Sequence, residues 1–333
     1  MNWYSKKQFV LFLILLLNLF GYAQTKFPIE HYTISDGLSQ SSVSCIVEDE
    51  ENQLWLGTQE GLNRFDGKNF EVYNRENTPA IINDYIYCGI KGEHGLLWFG
   101  TRNGLLQFNM ETAQFRSIPV HNNKSISIKQ IVQKNKNELV VLTTQNEVLF
   151  FSIAKQQFQR RAGVSKALKL VQTEESIFLV GINNEIHELL LNNSWKHSYT
   201  HSAAIQNVFY CNGSLFIFSN NGVSELRVNQ ATKKARPVFK EVSLGTLDGV
   251  TGMVFYKNNY FLSTNQCGLY VLTDNRITSQ IKANLFDAES LKSNNINISH
   301  LSKENVLWVG SDHGLTGLLI EGSGFNTYRP SAN

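Results

Sequence analysis

Several absences frame this 333-residue chain. Cysteine is scarce: Cys45, Cys88, Cys211 and Cys267 are too few and too unevenly spaced for a disulfide framework or a paired CxxC metal site. Among His31, His94, His121, His187, His197, His201, His300 and His313 no HExxH motif occurs, and no GxSxG is present, so the common hydrolase signatures are missing. No stretch of helical period competes with the strand-like runs, and no glycine-rich turn leads into a helix to cradle a phosphate. Charge of one sign is absent too. With Lys6 and Lys7 set aside, 28 basic residues face 28 acidic ones, so nothing attracts nucleic acid. No cofactor, metal or catalytic constellation is expected.

Long apolar runs are limited to one. Lys6 and Lys7 precede an almost unbroken apolar stretch from Phe9 to Phe20, followed by Gly21 and Ala23. This is the layout of a signal peptide cleaved after Ala23. The run is about twelve residues against roughly twenty for a membrane-crossing helix, so an uncleaved anchor is the lesser reading. The expected organisation is a leader over 1–23 and a mature chain over 24–333, periplasmic or otherwise exported, with no further membrane span.

What the chain does have is internal similarity. Leu54-Trp55-Leu56-Gly57-Thr58, followed by Gly61-Leu62, returns as Leu97-Trp98-Phe99-Gly100-Thr101, followed by Gly104-Leu105, at a spacing of 43 residues. A third strong copy is Leu307-Trp308-Val309-Gly310-Ser311 with Gly314-Leu315. Weaker copies run from Val140 to Thr144, Phe178 to Ile182, Phe216 to Asn220 and Phe261 to Asn265. Taking Gly57, Gly100, Thr143, Gly181, Phe218, Ser263 and Gly310 as equivalent gives seven repeats at intervals of 37 to 47 residues.

Within the first repeat, Val43 to Val47, Leu54 to Thr58, Leu62 to Phe65 and Phe70 to Tyr73 read as four strands, the last two joined by the turn Asp66-Gly67. The second strand is apolar at nearly every position, so both of its faces must be covered. A lone sheet cannot do that, whereas sheets stacked around an axis can. The expectation is an all-β, seven-bladed β-propeller of four-stranded antiparallel blades, with repeats near 41–80, 81–124, 125–164, 165–202, 203–244, 245–294 and 295–333. One strand is left over. The segment 29–34 is expected to close the last blade, Phe325 to Tyr328 competes for that edge, and an alternative has the extra strand opening a second propeller in a longer parent protein.

Trp55, Trp98 and Trp308 recur at equivalent positions and read as packing between blades, with the glycines after them permitting close strand approach. Asp49 and Asp66 sit at hairpins where a short acidic side chain caps the turn, and Glu48 to Glu51 reads as a solvated turn in preference to a calcium loop. Cys45 and Cys88 occupy equivalent places in successive repeats. A bridge between them is conceivable, but equivalent strands of neighbouring blades stand too far apart for the short separation a disulfide needs, which favours free buried thiols.

The first repeat, with Glu48-Asp49, Leu54 to Thr58, Gly61-Leu62-Asn63-Arg64-Phe65-Asp66-Gly67 and Phe70-Glu71-Val72-Tyr73, resembles the two-component regulator propeller repeat, and Tyr32 to Ser39 resembles that family's lead-in segment. The match is strong in repeats one, two and seven and faint in three to six. The resemblance implies the periplasmic sensor region of a Bacteroidetes hybrid two-component system, many of which detect oligosaccharides. It also implies a second propeller or a sensor kinase as partner. A typical member continues into a second propeller, a small β-sandwich, a membrane helix and a histidine kinase, so the chain reads as the first propeller of such a sensor, as a fragment or as a stand-alone product.

A sugar-binding surface needs aromatics for ring faces and amides or charges for hydroxyls. The loops between second and third strands, and those leading into each first strand, should share one face of the disc. They carry Asp84 and Tyr85, Arg102 and Asn103, Gln145 and Asn146, Asn183 and Asn184, Asn220 and Asn221, and Asp312 and His313. Asparagine is also the usual residue of tight turns, so the ring of them points to binding where no single one does. Tyr85, Arg102, Asp312 and His313, bulkier than a turn requires, are the candidate ligand-binding residues together with Asn103. The leading reading is a non-catalytic, oligosaccharide-sensing propeller. The alternatives are an exported scaffold for protein–protein interaction, and a propeller lyase or glycosidase whose groups meet at the central channel from several blades, an arrangement invisible in chain spacing.

Overall fold

The computed structural model describes residues 27–121, 125–161, 166–228, 236–238 and 249–321; the expected leader over 1–23 and the segment Phe325 to Tyr328 lie outside them. The described strands form seven four-stranded antiparallel sheets, the blades of a β-propeller. Blades 1 to 7 begin with the inner strands Cys45–Glu48, Ile86–Lys91, Ile128–Asn135, Ala167–Gln172, Ile205–Cys211, Val250–Tyr256 and Ile296–Leu301. Each blade then meanders outward, in blade 1 through Leu54–Gly57, Leu62–Phe65 and Phe70–Tyr73. Neighbouring inner strands lie side by side around the whole ring, and blade 7 meets blade 1.

Blade 7 takes its outermost strand from the other end of the chain. Ile29–Tyr32 pairs antiparallel with Gly314–Leu319, Ile29 opposite Leu318 and Tyr32 opposite Leu315. A buried apolar cluster fills each of the seven blade interfaces. The repeated tryptophans sit in three of them: Trp55 against Phe108 of blade 2 with ring centroids 4.6 Å apart, Trp98 against Phe151 of blade 3 at 5.7 Å, and Trp308 against Phe65 of blade 1 at 5.9 Å. The glycine after each tryptophan is required by the next blade. A Cβ on Gly57 would lie 2.7 Å from Ile86 Cγ2, and one on Gly100 would lie 2.5 Å from the Ile128 carbonyl oxygen.

The strand register corrects two of the repeat equivalences. Gly57 faces Cys45 and Gly100 faces Cys88, but the residues in that place in blades 3 and 4 are Leu142, opposite Gln130, and Val180, opposite Lys169. Thr143 and Gly181 fall one residue later, where Thr58 stands in blade 1. The apolar side chains at Leu142 and Val180 replace the glycine, so matching on a small residue slides the alignment by one.

The acidic run of the first hairpin is not uniformly solvated. Glu50 and Glu51 are exposed, but Asp49 is fully buried: its Oδ1 accepts from the backbone N–H groups of Glu51 and Gln53, both at 2.9 Å, and its Oδ2 accepts from Trp55 Nε1 at 2.8 Å. Glu48 crosses the seam to blade 7, where His300 Nε2 lies 3.1 Å from its carboxylate and the Lys303 N–H donates to it at 3.2 Å. Desolvation pushes the Glu48 pKa up, yet these bonds and the nearby positive charge outweigh it and hold the group below the usual glutamate value. All four cysteines are free. Burial pushes the Cys45 thiol up to about 12 and Cys88 higher than an ordinary thiol.

Candidate functional site

The hairpins between second and third strands and the segments leading into the inner strands gather on one face, stitched by backbone hydrogen bonds. Gly61 N donates to Asp84 O at 3.0 Å, Arg102 N to Tyr85 O at 3.0 Å, and Gly314 N to Ser41 O at 2.7 Å. Each strong hairpin is shaped by the hydroxyl that follows the motif glycine. Thr101 Oγ1 donates to Gly104 O at 3.1 Å and accepts from Asn103 N at 3.0 Å; Ser311 Oγ does the same with Gly314 O at 3.2 Å and His313 N at 3.1 Å. Gly104 itself stands at φ 89°, and a Cβ there would sit 2.2 Å from Ile118 O.

Among the candidate residues, the structure brings together two groups. In blade 2, Tyr85 leads into the inner strand while exposed Arg102 and half-buried Asn103 form the adjoining hairpin. The Tyr85 ring stacks on Tyr87, centroids 4.4 Å apart and planes at 25°, which makes an aromatic platform at the rim. In blade 7, Asp312 Oδ1 lies 2.9 Å from His313 Nδ1 and Asp312 Oδ2 accepts from Asn295 Nδ2 at 3.0 Å. Partial desolvation pushes the Asp312 pKa up, but hydrogen bonds from Ser293, His313 and Asn295 outweigh it and hold the carboxyl below its usual value. The blade 1 hairpin, residues 58–61, stands between the two groups. Elsewhere in the ring of amides, Asn146 and Asn184 both adopt φ 64° and serve the fold: Asn146 Oδ1 accepts from Lys129 Nζ at 2.7 Å and Asn184 Oδ1 from Ile205 N at 2.9 Å.

A second polar region lies on the axis and was not legible in the sequence. In blades 2 to 7 the pairing of the inner strand slips by one residue, at Tyr87, Lys129, Leu168, Gln206, Thr251 and Asn297. Such a bulge re-aims side chains. The slipped residues and those after them supply most of the lining of a cavity of about 430 Å³, including Tyr87, Lys129, Gln130, Lys169, Gln206 and Asn207. Side chains at these positions also tie blade to blade: Asn207 Nδ2 donates to Val250 O at 2.9 Å, Thr251 Oγ1 to Ile296 O at 2.8 Å and Asn297 Nδ2 to Val43 O at 3.1 Å.

Lys169 Nζ donates to Asn207 Oδ1 at 2.6 Å and lies 3.6 Å from the centroid of the Phe209 ring. Desolvation lowers the Lys169 pKa to about 7 and also depresses that of Lys129. No carboxylate and no imidazole lines the cavity. Among the described residues no group of three or more His, Cys, Asp or Glu side chains could hold a metal ion.

Residues 37–60 match the family model described as two component regulator propeller. The first repeat carries the two-component regulator propeller signature. Over 59 residues, 17% of the chain, the sequence is 48% identical to a histidine kinase of Formosa agariphila, of which the match covers 4%. Among solved structures, the chain is similar to the extracellular domain of a hybrid two component system of B. thetaiotaomicron, with 20% identity, 88% of this chain and 42% of that one covered, and a TM-score of 0.68. It is similar to the extracellular domain of a one component system of the same organism at 18% identity, with 91% and 40% covered and a TM-score of 0.70. A virginiamycin B lyase of Staphylococcus aureus matches at 9% identity, with 89% and 100% covered and a TM-score of 0.66. At these identities the likeness is one of fold. The chain spans less than half of each of these two extracellular domains, and none of the helices among the described residues is long and apolar enough to cross a membrane.

Proposed function

We propose that this chain is the exported ligand-sensing propeller of a two-component system, acting without catalysis of its own and recognising an oligosaccharide on the loop face. The observation that carries the reading is the first repeat, which matches the regulator propeller and lies in a chain related over 59 residues to a histidine kinase. Tyr85, stacked on Tyr87, offers a ring face to a pyranose. Arg102 and Asn103 beside it, with Asp312 and His313 two blades away, offer donors and acceptors to hydroxyls. A ligand held across these blades would favour one arrangement of the sensor by binding it more tightly than the other, and that difference in affinity is the signal.

The test is calorimetric titration of the purified chain with plant, algal and host oligosaccharides. Saturable binding without product formation, weakened in Tyr85→Ala and Arg102→Ala, is the expected result. Silence across the panel from a folded chain would sink the reading in favour of a protein-binding scaffold. Release of product would favour a propeller lyase or glycosidase.

A further inference from the structure

The axial cavity breaks the charge balance of the rest of the molecule. Its lining includes Lys129 and Lys169 from adjacent blades and no aspartate or glutamate. An ammonium group carries three N–H donors. Lys169 engages one with Asn207 Oδ1 and Lys129 one with Asn146 Oδ1, both neutral acceptors, and neither lysine forms an ion pair among the described residues. Withdrawing the Lys169 ammonium from water, and that of Lys129 in part, with no counter-charge is unfavourable and invites either loss of a proton or arrival of an anion. At the equivalent junctions between blades 5 and 6, 6 and 7, and 7 and 1, uncharged Asn207, Thr251 and Asn297 make the tie, so the position occupied by Lys169 does not call for a charge. The cavity, at about 430 Å³, lies within the range of about 300–1,000 Å³ typical of small-molecule sites.

We infer that the axial cavity binds a small hydroxylated carboxylate, with Lys129 and Lys169 holding the carboxylate and Tyr87 and Gln206 placed beside its hydroxyls. The site adjoins the loop-face candidates through Tyr87, on which Tyr85 stacks, but its anion-binding lysines belong to no loop-face group, so a Lys169 substitution tests it apart from oligosaccharide recognition there. Two kinds of molecule share the required chemistry: an acidic sugar and a non-sugar hydroxy acid. The titratable groups that share the cavity lining with Lys169 are Lys129, Tyr87, Cys45 and Cys88, while blade 5 contributes the uncharged Gln206 and Asn207 with the Phe209 ring beside the ammonium, and blade 7 contributes Ile298. Burial raises the pKa of both thiols and so keeps them protonated and uncharged, and anion binding follows the protonation of Lys169.

The experiment is calorimetric titration of the full chain with glucuronate, malate and glucose at two pH values. Glucuronate is expected to bind and glucose to remain silent. Malate binding as well would identify a general hydroxy-acid site, and its silence would identify an acidic-sugar site. Lys169→Met should weaken glucuronate by at least about tenfold, the loss expected for one charge-assisted hydrogen bond. Affinity should rise by about tenfold from about pH 8 to about pH 6 as Lys169 passes from mostly neutral to mostly charged. Should Lys169→Met fail to fold by circular dichroism, the pH series on the parent chain decides. Silence toward both acids, glucose bound as well as glucuronate, undiminished binding by folded Lys169→Met, or an affinity flat with pH would each overturn the inference.

Discussion

Replacing Asp49 with alanine should destabilise the propeller well beyond what a surface turn mutation does. Its carboxylate serves three donors, and their surroundings differ. Glu51 is exposed and Gln53 half-buried, so water can reach both backbone N–H groups once the carboxylate is gone. The indole N–H has no such recourse, because Trp55 is 0% exposed and is closed in by the Tyr73 and Phe108 rings, with centroids at 5.7 and 4.6 Å. An orphaned buried donor costs about 1–3 kcal/mol, and imperfect replacement of the two turn bonds adds roughly 1 kcal/mol, so Asp49→Ala should cost about 2–4 kcal/mol. Urea denaturation followed by circular dichroism measures this directly. The same substitution in a Trp55→Phe background, where the ring remains but the N–H does not, should cost less by about 1–3 kcal/mol. A loss within about 0.5 kcal/mol of zero, or an equal loss in both backgrounds, would refute the account.

Three further outcomes are expected. Gly100→Ala drives a Cβ toward the Ile128 carbonyl and should lower stability by about 1–3 kcal/mol. Gly57→Ala presses mainly on the side chains of Cys45 and Ile86, which can yield, so thermal unfolding should rank it the milder of the two. Thr101→Val takes the hydroxyl from Gly104 O and Asn103 N and should cost about 1–2 kcal/mol in a chemical melt while loosening the Arg102 hairpin. Because the folded Glu48 pKa is depressed, its stabilising contribution is complete above the ordinary glutamate value and is lost as pH falls through the folded one. Glu48→Gln should flatten acid unfolding in that window; an acid titration curve identical to the parent's would count against the seam contact.

The blade architecture was readable because packing imposes it on every repeat. Trp55, Trp98 and Trp308 must fill an interface, Gly57 and Gly100 must leave room for the next inner strand, and Thr101 and Ser311 must satisfy a hairpin, so the residue types recur at regular spacing. Where packing accepts substitutes, the reading slipped: Leu142 and Val180 fill the space that glycine leaves open in blades 1 and 2, and the alignment moved by one. The buried role of Asp49 was hidden because a capping aspartate and an indole acceptor carry the same letter in the same turn. The grouping of Tyr85 with Arg102 and Asn103 was legible as shared loops of one repeat. The meeting of Lys129 and Lys169 in the cavity was not, because a one-residue bulge decides which side chain faces the axis and leaves no compositional trace.

The shared sheet of blade 7 sets how the ring answers to force. Ile29 lies opposite Leu318, so the outward-leading ends of the two paired strands emerge side by side at the same edge of the sheet. Tension drawn between those ends would not shear the strands past each other, which loads every hydrogen bond at once. It would peel them apart one pair at a time, from Ile29 toward Tyr32. The propeller is therefore mechanically weakest at its seam, and a pull transmitted through both ends of the described chain would open the ring there before disturbing the other six blades.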